Sequence, residues 1–80
     1  MNMSFLLVKK YLEVLNLSNV TSIETNNLKK QYLSLAKQYH PDLSDLRYKD
    51  GTRFVQLKEA YDYLIDNMDA INDYFFSITN

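Results

Sequence analysis

The chain has 80 residues, with nine basic and ten acidic side chains, one histidine and no cysteine. That composition excludes disulfides and thiolate chemistry and leaves too few nitrogen and sulfur ligands for a zinc site. A net charge of −1 argues against a nucleic-acid surface, and no apolar run approaches the roughly 18 residues of a membrane span.

Eighty residues allow one domain, 1–80, burying roughly 60% of the surface its unfolded chain exposes. One glycine and one proline offer few breaks, which points to a few long helices rather than many strands. Residues 1–42 carry five lysines against three acids, and residues 43–80 carry four basic against seven acidic residues. This asymmetry reads as packing and solubility. Phe5-Leu6-Leu7-Val8 is too short for a signal-peptide core and is followed, not preceded, by Lys9-Lys10. A cytoplasmic monomer is expected.

The first helix, about 5–15, carries Val8, Tyr11, Leu12 and Leu15 at i, i+3, i+4 and i+7. Asn16 to Thr25 is polar and reads as a loop ending in a helix cap, Thr25 or else Glu24. The second helix, about 25–39, shows the cleanest stripe: Leu28, Tyr32, Leu35, Ala36 and Tyr39. It stops near Tyr39, because Pro41 lacks an N–H and pushes His40 out of helical geometry.

A loop over 40–51 follows. Thr52 or Asp50 is the candidate cap of a third helix, about 52–66, striped by Phe54, Leu57, Tyr61, Leu64, Ile65 and Met68. Asn67 marks a break. Met68, Ile71, Phe75 and Ile78 continue at helical spacing, as a fourth helix of about 68–78 or an extension of the third. The two central stripes predict an antiparallel hairpin, with the short first helix lying across it. The fold class is therefore all-α.

His40-Pro41-Asp42 stands where the two central helices join. Each residue has an ordinary local reason to be there: histidine suits a helix C-terminus, proline follows helix ends, and aspartate suits turns. Together they also offer a partner a stiff polar surface. Lys29, Lys30 and Lys37 lie off the apolar stripe and form a basic face, read either as solubility or as steering toward an acidic partner. Leu33 lies on that side too, as a scattered exposed leucine or an apolar anchor. No glycine-rich phosphate loop or apolar carboxylate pair is present, so intrinsic catalysis, a metal and a cofactor are not expected.

At this point the sequence resembles the J-domain of DnaJ-type co-chaperones, from about Tyr11 to Asp66. Tyr11-Leu12-Glu13-Val14-Leu15 is similar to the family's first-helix signature. Leu28-Lys29-Lys30-Gln31-Tyr32 and Leu35-Ala36-Lys37-Gln38-Tyr39 are similar to its second helix, and His40-Pro41-Asp42 follows directly. Phe54, Leu57, Ala60-Tyr61, Leu64 and Asp66 resemble the third. The resemblance implies docking on a DnaK-type chaperone through the His-Pro-Asp loop and the basic face, with stimulation of the partner's ATP hydrolysis. Asp42 would pair with a basic group of the chaperone, and His40 and Pro41 would orient the loop. Lys29, Lys30 and Lys37 would steer and rim the contact.

The chain departs from the family's pattern at several points. Leu33, Ser34 and Gln38 stand where basic residues are frequent, and Asn16 stands where glycine is usual. The loop before the second helix is about two residues longer, and the basic-aromatic motif of the family's fourth helix is absent. The alternative these departures raise is a degenerate J-like domain serving only as an interaction or structural module.

Overall fold

Four helices make up the computed structural model, which describes residues 4–40 and 51–79. They are α1 (Phe5–Val14), α2 (Thr25–Tyr39), α3 (Thr52–Asp66) and α4 (Met68–Thr79), and the described residues include no strand. The Pro41–Asp50 stretch lies outside the described residues.

α1 starts at Ser4, whose hydroxyl accepts from the Leu7 N–H at 3.3 Å. Its end explains Asn16. The Leu17 N–H donates to the Leu12 carbonyl at 2.8 Å, and the Asn16 N–H donates to that of Glu13 at 3.0 Å. This is the Schellman pattern, and it places Asn16 in the left-handed region, φ 57°. Asparagine is the residue after glycine best suited to that backbone. Asn16→Ala is therefore expected to cost about 1 kcal/mol, while Asn16→Gly holds stability or raises it. Thermal melts of the two variants check this.

Of the two caps expected for α2, the second is observed, and the cap expected for α3 is corrected. Glu24, not Thr25, is the N-cap of α2: its backbone is extended and its carbonyl accepts from the Leu28 N–H at 2.9 Å. Thr25 is already helical and its hydroxyl turns to the Met68 sulfur, 3.7 Å away. Gly51 is the N-cap of α3, with φ 75°, so neither Thr52 nor Asp50 holds that position.

α2 and α3 pack against each other, and α1 leans chiefly on α3. Tyr32 stacks on Tyr61 at 4.5 Å, while Tyr39 and His40 meet Arg53 and Phe54. Contacts that rise along one helix fall along the other, so the hairpin is antiparallel. Leu28, Leu57, Ala60, Leu64 and Ile71 are fully buried, with Val8, Leu12, Leu15 and Leu35 beside them. Asn67 ends α3 and starts α4. Its amide nitrogen donates to the Tyr63 carbonyl at 2.9 Å, and its own carbonyl accepts from the Ile71 N–H at 2.9 Å. α4 is thus a separate helix. Ile71 and Phe75 continue the core, but Ile78, expected on the same stripe, is exposed because it lies a turn beyond the surface that α4 covers.

The segment before α2 is less polar in role than in composition. Ile23 is buried, and Leu17 and Val20 pack on the core. Asn72 of α4 fixes this segment with two bonds. Its Oδ1 accepts from the Ile23 N–H at 2.7 Å, and its Nδ2 donates to the Ile23 carbonyl at 2.9 Å. Asn72→Ala leaves both backbone groups without this partner and is expected to cost about 2 kcal/mol, read by urea denaturation.

Candidate docking face

α2 builds the candidate site. At about 100° per residue, Lys29, Leu33, Lys37 and Lys30 fall within roughly a quarter to a third of a turn. They lie away from the stripe of Leu28, Leu35 and Tyr39 that faces α3. All four are exposed, Leu33 by half. Two more of the departures from the basic pattern, Ser34 and Gln38, are exposed as well. The result is a lysine face with a leucine set into it. Lys37 also lies in the last turn of α2, where a cation complements the helix dipole.

His40 ends that face. It is the C-cap of α2, with an extended backbone (φ −63°, ψ 127°), the geometry that a following proline favours. Its N–H still donates to the Ala36 carbonyl at 3.0 Å. The half-buried ring meets Phe54 edge-on, with centroids 5.3 Å apart and planes at 79°. The imidazole is thus mounted on two helices at once. Pro41 and Asp42 lie outside the described residues.

The structure therefore brings Lys29, Lys30, Leu33 and Lys37 together on one face and places His40 at its end. Sequence reasoning missed Arg53, and it read Phe54 only as a core position. No periodicity signals either contact with the end of α2, because each joins residues 14 positions apart on different helices.

A cleft of about 370 Å³ adjoins the face, between α2 and the segment before it, lined by Leu17, Val20, Asn27, Lys30 and Ser34 among others. Among the described residues, no three histidine, cysteine, aspartate or glutamate side chains gather to hold a metal. No described helix is long and apolar enough to cross a membrane.

Comparison with known proteins settles the family. The family model of the DnaJ domain matches residues 10–71. The chain belongs to the DnaJ domain family. This J-domain is 45% identical over 60 residues to the chaperone protein DnaJ of Acholeplasma laidlawii, covering 74% of this chain and 15% of that protein. It is 43% identical over 56 residues to the chaperone protein DnaJ of Rickettsia felis, covering 70% and 14%. For that of Rickettsia africae the figures are 41% over 58 residues, 72% and 15%. The matched stretch is thus about one seventh of those chaperones' length. No solved structure matches the chain.

Proposed function

We propose that this J-domain docks on a DnaK-type chaperone through its His-Pro-Asp loop and the outer face of α2, and stimulates that partner's ATP hydrolysis. The observation that carries the reading is His40, held as the C-cap of the helix that presents Lys29, Lys30, Leu33 and Lys37. In this reading Asp42 pairs with a basic group of the chaperone, while His40 and Pro41 orient the loop. The lysines steer and rim the contact, and Leu33 supplies an apolar anchor within it. The chemistry belongs to the partner. The J-domain acts by binding one chaperone state more tightly than another, since only differential affinity shifts an equilibrium. The unit acts as one domain, a monomer, in the cytoplasm.

Three lysines make a modest field, and exposed charges are screened over about 8 Å at physiological salt. The half-saturating concentration for stimulation is therefore expected to rise only gently between low and physiological salt, less than for a strongly basic J-domain. Reversing the three charges (Lys29→Glu, Lys30→Glu, Lys37→Glu) is expected to raise it about tenfold at low salt, through loss of steering. A titration of chaperone stimulation against the variant tests the reading. An unchanged half-saturating concentration removes α2 from the interface.

The second reading, an interaction module without ATPase stimulation, draws on the exposed Leu33, Ser34 and Gln38. It is separated by whether binding to the chaperone is accompanied by faster hydrolysis.

A further inference from the structure

Two of the usual helix-start features are missing from α3 among the described residues. Its N-cap, Gly51, makes no side-chain cap bond, and its first turn holds no acidic residue. The second helical residue is Arg53, a cation at the positive end of the helix dipole. Placement against a local rule asks for a compensating gain elsewhere. The gain here is across the hairpin: the Arg53 guanidinium lies over the Tyr39 ring, 5.9 Å from its centroid. The next residue, Phe54, meets the His40 ring. Tyr39 and His40, the last residue and C-cap of α2, thus meet Arg53 and Phe54 in the first turn of α3.

We infer that Arg53 is a positioning residue, which joins the end of α2 and the start of α3 into a stem by holding Tyr39 and so keeps His40 in the orientation used for docking. This rests on the docking function proposed above. Arg53 acts through Tyr39 and not by touching the chaperone. Lysine lacks the flat guanidinium that lies over a ring, so Arg53→Lys restores the contact only in part.

The contact and the helix dipole predict opposite signs. By the dipole alone, removing this cation strengthens the first turn of α3. By the contact, removing it loosens the stem. Hydrogen exchange reads the difference at two amides, Val55, which donates to the Gly51 carbonyl at 3.0 Å, and His40, which donates to that of Ala36 at 3.0 Å. In Arg53→Gln both are expected to exchange about two- to fivefold faster, the range of an exposed cation–ring contact. Because Arg53 is exposed, the variant is expected to fold. In a Tyr39→Leu background, where the contact is already gone, Arg53→Gln is expected to bring no further acceleration at either amide, and the dipole alone then slows Val55.

Slower or unchanged exchange in Arg53→Gln, or effects that multiply in the double variant, overturns the contact. The half-saturating concentration for chaperone stimulation should rise by a similar factor in Arg53→Gln and recover in part in Arg53→Lys. Looser amides with unchanged stimulation overturn the positioning role and leave a structural one. A parent domain that fails to stimulate removes the docking function, and the positioning role with it, while the exchange data still decide the contact.

Discussion

His40→Gln and Asp42→Asn are each expected to lower stimulation of a DnaK-type chaperone about thirtyfold or more, with helical content unchanged. The size is that of an interface hot spot of about 2 kcal/mol. Folding is spared because of where His40 stands. Its hydrogen bond to Ala36 is made by the backbone and survives substitution, and its ring meets Phe54 edge-on outside the buried core. Asp42→Asn keeps the side chain's shape and removes its charge. If the carboxylate pairs with a cation of the chaperone, the loss leaves that cation uncompensated, which costs about 2–5 kcal/mol in a desolvated contact. Single-turnover hydrolysis, with circular dichroism as the folding control, reads both. Full stimulation by either variant would remove that residue from the docking mechanism.

Leu57→Ala is expected to cost about 3 kcal/mol, within the range of roughly 2–5 for a buried leucine. Leu57 is fully buried on the helix that packs against both α1 and α2, so no neighbouring element can move inward without breaking a second contact. At about 0.05–0.15 kcal/mol per residue, an 80-residue chain has roughly 4–12 kcal/mol of net stability. One truncation thus removes a large share of it. With a urea slope near 1 kcal/mol per molar, the midpoint falls by about 2–3 M. Val55→Ala, on the exposed side of the same helix, is the control and stays within about 0.5 kcal/mol. Similar midpoints for the two variants would contradict the assignment of the core.

The hairpin was legible because both central stripes are long and keep the 3.6-residue period: Leu28 and Leu35 on one side and Leu57 and Leu64 on the other are all buried. The break at Asn67 was legible too, and the asparagine marks it by bonding back to Tyr63. What escaped was whatever periodicity does not encode. Ile23 lies in a largely polar stretch, and its backbone is tied to Asn72, 49 positions away, while its side chain is buried. The caps were legible only in part: Glu24 stood second to Thr25, whose hydroxyl turns to Met68, and the cap of α3 is Gly51, which takes a left-handed backbone. On the face of α2, the grouping of Lys29, Lys30, Leu33 and Lys37 followed from the helical repeat alone. The cross-loop contacts of Arg53 and Phe54 did not, since they join residues 14 positions apart.

The proposed function makes this J-domain an accelerator of a partner's ATP hydrolysis. Single-turnover ATP hydrolysis by a DnaK-type chaperone, with the unmodified chain added over a range of concentrations, tests it most directly. The predicted result is a saturable acceleration of hydrolysis. No acceleration of a cognate chaperone that still responds to another J-domain protein would contradict it, and would leave the fold with a binding role alone.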